Sequence, residues 1–474
     1  MKKVKTKPTI ANNEYQKNNW DLEAILENST IEQLYELWIK KNNEQIALFN
    51  DFYTSLANFK QWNNLDDELS IINNRLMNYI SNKLHEDVTD QTYIAWQQKI
   101  NLVAHEFSQK LFNYANVCIK HKAAILKYLD DPAIKILKRG YEQFFRFEKH
   151  ILTESENQTI SKISIVNDGI SEVFDTFSST DIRFPDVKNK KHQLVKLPTM
   201  AKVNELLKSD DRVLRKNVWV TFHETYNNYT ATLTKLLYYN YLQANTYAKL
   251  HHYDDYVSST AFHDEIPVKL ITEIYANVKA YKPVYQKYRK VLTKILKKQL
   301  KLPKLEPWDM NVDLTKKAIH FTLAQTKAIV FDCLQVFGQE YCSIIKKAFD
   351  ERWISWMPKP NKYTGAYSIG GTRGLSKYYI LMNFNGTFDS VSTIIHELGH
   401  SLNSYYYNQY NPHYASTTIF TAEIPSIVNE TLLGEYMIKK YRHDPILTKN
   451  FLNEIISNFF NTTSRQVIFS NWEY

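Results

Sequence analysis

His396-Glu397-Leu398-Gly399-His400 puts two imidazoles four residues apart with a carboxylate between them. On a helix, positions i and i+4 are neighbours on one face, about 5–6 Å apart at Cβ. Imidazoles at that spacing can grip one Zn²⁺, while the intervening glutamate reaches a water at the ion. The chemistry indicated is metal-assisted hydrolysis, most often of a peptide bond. His-Glu occurs four times, at His85, His105, His223 and His396, but a histidine follows at +4 only after the last. The other three read as ordinary surface or core-edge pairs.

A helix must carry this pentapeptide, and its surroundings predict one. Val391, Ile394, Ile395, Leu398, Leu402 and Tyr405 recur at helical spacing as a buried stripe, with His396 and His400 just beside it. Asn385-Gly386 signals a turn before the helix, with Thr387 as its N-cap. Upstream, Tyr378 to Phe384 reads as a β-strand.

A catalytic zinc takes three protein ligands and keeps one position open. Between 401 and 440 there is no Asp or Cys, so the candidates are His413, Glu423, Glu430 and Glu435. The H-E-x-x-H-x-x-G-x-x-H arrangement is excluded, because Asn403 and Tyr406 occupy its further positions. Thr417 to Tyr441 reads as a second helix, with Pro425 as a kink or break. If it runs through, Glu423 and Glu430 share a face. Glu423 is then the expected ligand, and Glu430 the carboxylate that holds a ligand imidazole in one tautomer. The alternative for either glutamate alone is a solvated helix face.

Several stretches together resemble the oligoendopeptidase F branch of the thimet-oligopeptidase family of zinc metallopeptidases. They are Gly365-Ala366-Tyr367-Ser368-Ile369-Gly370-Gly371, Tyr379 to Asn383, His396 to Ser401, Ile419 to Ile424, and Asn429-Glu430. Weaker likeness lies at Asn19 to Leu22, Arg183 to Val187 and Ser209 to Arg215, in the family's order. The resemblance implies a mainly α, multi-helix, two-lobed metallopeptidase with a deep central channel and a small β-sheet beside the zinc helix. It implies one Zn²⁺ per chain on His396, His400 and Glu423, with Glu397 as catalytic carboxylate. Gly365, Ala366, Tyr367 and Ser368 would run beside the substrate and bond its backbone, as a strand edge does. The partners implied are short unfolded peptides. Family members continue beyond the segment resembling Thr463 to Phe469, and that further part carries a histidine and tyrosines that stabilise the oxyanion. Tyr405, Tyr406 and Tyr407 do not match those positions. The expectation is therefore a C-terminally truncated zinc endopeptidase. Its alternatives are a non-catalytic zinc- and peptide-binding protein, or one half of a split peptidase needing a separate C-terminal fragment.

Composition bounds the rest. A chain of 474 residues can bury a large core in two or three subdomains. Its 10 Gly and 13 Pro are far below the usual roughly 7% and 5%, which favours long helices. Lys, Asn, Ile and Tyr dominate as a coding bias would make them, so a net charge of +9 is weak support for an acidic partner. No aromatic–basic nucleic-acid module stands out, and no nucleic-acid partner is expected. Cys118, Cys333 and Cys342 form no framework and fit a reduced interior. The basic start Met1 to Lys5 precedes no apolar segment, and no apolar run reaches the roughly 18 residues of a spanning helix. A cytoplasmic protein without a membrane partner is expected. The chain divides into an N-terminal helical region at 1–115, a helical subdomain and linker at 116–198, and a catalytic domain at 199–474.

Overall fold

The structure is a computed structural model that describes residues 18–163, 169–198, 200–312, 319–414 and 418–474; Met1 to Lys5 and Thr417 lie outside them. It is mainly helical with two small sheets. The chain forms two compact units, each drawn from separated stretches: 1–158 with 319–440, and 159–318 with 441–474. Reading along the chain does not produce this division.

The first unit begins with three long helices, α1 (Ile31–Leu48), α2 (Leu56–Glu86) and α3 (Gln91–Lys110). Thr30 starts α1 with a capping box: its hydroxyl accepts the Gln33 amide, and the Gln33 side chain accepts the Thr30 amide. Leu34 and Trp38 of α1, Leu69, Ile72, Leu76 and Ile80 of α2, and Ile100 and Phe107 of α3 close one core. Tyr379 and Leu381, from far along the chain, join the same core.

The unit resumes with α4 (Leu323–Leu334) and α5 (Gly338–Asp350). The stretch Leu323–Asp350 is long and apolar enough, by length and composition only, to cross a membrane. It is interrupted at Gly338 (φ +91°), and Ile329, Val330, Leu334, Ile344 and Ile345 are buried. No other helix among the described residues meets that test.

The strands β1 (Ile354–Ser355), β2 (Tyr367–Ser368) and β3 (Ile380–Leu381) form a sheet in the order β1–β3–β2. β1 runs parallel to β3, with Ile354 opposite Ile380; β2 runs antiparallel to it, with Ser368 opposite Ile380. The paired core of β3 is shorter than the expected 378–384. Its hydrogen bonds nonetheless continue, from the Ile380, Met382 and Phe384 amides to the carbonyls of Trp353, Ser355 and Trp356. Lys362, almost fully buried, places Nζ 3.2, 2.8 and 2.7 Å from the carbonyls of Ser355, Met357 and Met382. Burial pushes its ammonium down to about 7, while three carbonyls match the three hydrogens that only the charged form carries.

The second unit is helical, with a two-stranded hairpin of Val187–Lys188 and Leu194–Val195 inside the expected linker. Ile182, Phe184, Val187, Leu197, Val203, Leu214 and Val218 form its core. Asp309 is fully buried and accepts from Arg212 Nη2 and Arg215 Nη2, each at 2.9 Å. Arg215, also buried, donates to the carbonyls of Ser209 and Trp308 as well, so each fixed charge has a partner.

Candidate metal centre

The pentapeptide lies on α6 (Phe388–Tyr410). Thr387 caps it as expected, its hydroxyl accepting the Ser390 amide. Gly386 makes the preceding turn at φ +78°, where a Cβ would come within 3.0 Å of the Phe321 carbonyl oxygen. Val391, Ile394, Ile395, Leu398 and Leu402 are fully buried. This stripe fixes the rotation of α6, so His396 and His400 sit half-buried at its margin.

Among the described residues the second helix is not continuous. A short turn, Ile419–Ala422, ends at Glu423, and α7 (Ile424–Lys440) starts immediately after it. Pro425 explains the break: it has no amide hydrogen and fits only a first turn. Glu423 therefore occupies the joint, at φ −88° and ψ −1°. It reaches the histidines from there rather than from a continuous helix face shared with Glu430. α7 packs close against α6. At Gly399 a Cβ would lie 2.7 Å from Ser426 Cα and 2.8 Å from Pro425 C and O, so glycine permits the approach. The buried Asn429 side chain donates to the Ile395 carbonyl at 3.0 Å and ties the same two helices together.

Three donor atoms converge. His396 Nε2 and His400 Nε2 are 3.1 Å apart, and Glu423 Oε2 is 3.3 Å from each. Tetrahedral zinc with ligand bonds of about 2.0–2.1 Å requires ligand atoms roughly 3.3 Å apart. The triangle therefore suits one divalent ion without rearrangement. Among the described residues it is the only group of three or more His, Cys, Asp or Glu side chains so gathered. Of the other sequence candidates, His413 lies by Asp67, its Nδ1 3.5 Å from Oδ1, and Glu435 is not in the group.

Glu430 stands behind this triangle. Its Oε1 is 2.5 Å from His396 Nδ1, so the imidazole donates there and turns the lone pair of Nε2 toward the other two donors. Burial disfavours the His396 cation, but the Glu430 hydrogen bond and the charges of Glu397, Glu430 and Glu423 raise its pKa overall. Burial dominates at His400 and lowers it. Glu397 is buried, which pushes its carboxyl up to about 7 against the charge of His396 and an amide hydrogen bond from Ser368.

The segment 365–368 sits at one edge of the sheet. Ile369 gives its amide to the Tyr379 carbonyl, on the β3 side. Alternation along an antiparallel ladder then turns the Ser368 and Ala366 amides to the other side. The Gly365 carbonyl accepts from the Asn383 side chain at 3.0 Å. Tyr367 turns its phenol into the unit, 2.7 Å from His85 Nδ1 and 3.0 Å from Asn82 Oδ1, both on α2. Sequence reasoning missed Ser426, whose buried hydroxyl donates to Glu423 Oε2 at 2.6 Å. The available signal was its place three residues after Glu423.

The model of peptidase family M3 matches residues 205–474, and that of the oligopeptidase F N-terminal region matches 121–184. The chain belongs to peptidase family M3. It is 35% identical to an oligoendopeptidase F homolog of Mycoplasma pneumoniae, over 98% of this chain and 76% of that protein. It is 27% identical to the group B oligopeptidase PepB of Streptococcus agalactiae, over 97% and 76%. The crystal structure of oligoendopeptidase-F from Enterococcus faecium shares the fold, with a TM-score of 0.67 at 18% identity over 93% and 74% of the two chains. Family M3 membership makes the protein a metallo-oligopeptidase.

Proposed function

We propose that the chain is a zinc-dependent endopeptidase that hydrolyses short oligopeptides. His396, His400 and Glu423 would hold the ion, and Glu397 would be the general base. The observation that carries this reading is the triangle of donor atoms with edges of 3.1 to 3.3 Å, one residue along α6 from a buried carboxylate. Bound there, zinc would supply Lewis-acid polarisation of the scissile carbonyl and acidify the attacking water. Glu397 takes the proton of that water during attack and passes it to the leaving amine. Its burial serves this, because a carboxyl raised toward neutrality both accepts and releases a proton readily. Glu430 keeps the His396 proton on Nδ1, and Ser426 holds the Glu423 oxygen in place. The substrate backbone pairs with the outward edge of Gly365, Ala366, Tyr367 and Ser368. Ala366 supplies the outward amide, because that of Ser368 is taken by Glu397.

The test is zinc content by elemental analysis alongside cleavage of a quenched fluorescent peptide. One equivalent of zinc is expected in the native chain and far less in Glu423→Ala. Glu397→Gln is expected to keep the metal and lose turnover. Zinc retained in full by Glu423→Ala, or turnover retained by Glu397→Gln, would overturn the assignment.

A further inference from the structure

One residue of the edge strand contacts the metal-site helix twice. The Ser368 amide faces the Glu397 carboxylate and favours its charged form, and the Ser368 hydroxyl lies 2.7 Å from that of Ser401. Ser401 is fully buried and one helical turn beyond Glu397, hence on the same face of α6. Its hydroxyl donates to the Tyr378 carbonyl at 3.3 Å. Either hydroxyl can donate in the 2.7 Å contact, and the two contacts of Ser401 join the strand end and the approach to β3 to the same helical turn. The phenol of Tyr367 is held by α2 on the opposite side, so Ser401 supplies the fastening toward α6.

We infer that Ser401 is a positioning residue for peptide hydrolysis: by anchoring Ser368, it keeps that residue's amide on the Glu397 carboxylate and sets the direction in which Glu397 faces the metal site. The inference rests on the reading of Glu397 as general base and adds a residue outside the ligand set. Without the Ser401 hydroxyl, the Ser368 hydroxyl loses its hydrogen-bond partner on α6 and the Tyr378 carbonyl loses a contact.

Two measurements on the full chain test it. Hydrogen exchange of the Ser368 amide, read without substrate, should be at least tenfold faster in Ser401→Ala than in the native protein, while amides inside α6 keep their rates. In peptide cleavage, Ser401→Ala and Ser368→Ala should each lower kcat about tenfold, or roughly 1.4 kcal/mol. Zinc content should be unchanged. The double variant should be no slower than either single one, because both remove the same bond. Ser368→Thr keeps a hydroxyl and should recover most of the loss. Unchanged Ser368 exchange in Ser401→Ala, or losses that multiply in the double variant, would overturn the inference. Turnover that survives Glu397→Gln would instead remove the reading beneath it, so the two failures are distinguishable.

Discussion

At the residue scale, the proposed metal centre depends on proton placement as much as on ligand identity. Nε2 of His396 is free to coordinate only because Nδ1 donates to Glu430. Removing such a partner typically costs 10- to 100-fold in metal affinity. Glu430→Ala should therefore weaken zinc binding by that factor in a chelator competition, while Glu435→Ala leaves it unchanged. The two histidines, Glu397, Glu423 and Glu430 were legible in the sequence because helical spacing is local and the candidate carboxylates were few. Ser426 and Ser401 were not. Serine hydroxyls bond whatever the tertiary register brings near, and nothing in the chain states that Ser401 will meet Ser368.

At the element scale, the decisive contact is between α6 and α7. Alanine is worth about 1 kcal/mol more than glycine inside a helix, so propensity alone favours Gly399→Ala. The added Cβ would meet backbone atoms at 2.7–2.8 Å, and backbone cannot turn aside as a flexible side chain does. Overpacking typically costs 1–3 kcal/mol. Gly399→Ala should therefore lower Tm and zinc content together, because α7 and the Glu423 joint move as α6 pushes them away. Thermal melts with and without added zinc would measure both. Pro425 announced the break before α7, but sequence left open whether it kinked or ended the helix. The structure ends it, and Glu423 occupies the gap. The strand at 378–384 was legible as an apolar and aromatic run ending at the Asn385-Gly386 turn. Its partners were not, since β1 and β2 come from different distances along the chain.

At the scale of the whole molecule, helical content followed from few breakers and clear periodicity. The interleaved units did not, because contacts between stretches more than a hundred residues apart leave no local trace. The buried Asp309 cluster gives the second unit a pH signature. Burial opposes the carboxylate, but Arg212, the Glu306 amide and Arg215 hold its pKa below the usual carboxylate value. A depressed native pKa adds stability that is complete above the unfolded value of about 3.9. It is lost as pH falls through the native one. Asp309→Ala leaves Arg215 buried without its counter-ion and should cost about 3–5 kcal/mol at pH 7. The lower end is expected, since Arg212 is partly exposed. Urea unfolding at pH 7 and pH 3 should show the gap between native and variant shrinking in acid.

The edge strand β2 is pinned from two sides, its phenol by α2 and its hydroxyl by α6. A slip of one residue would exchange those two faces, so the strand has a single allowed setting. Such an edge behaves as a jig. Under the proposed function, any peptide laid along it would be held at one fixed offset from the carboxylate, and backbone registration would dictate the place of the cut before any side chain is recognised.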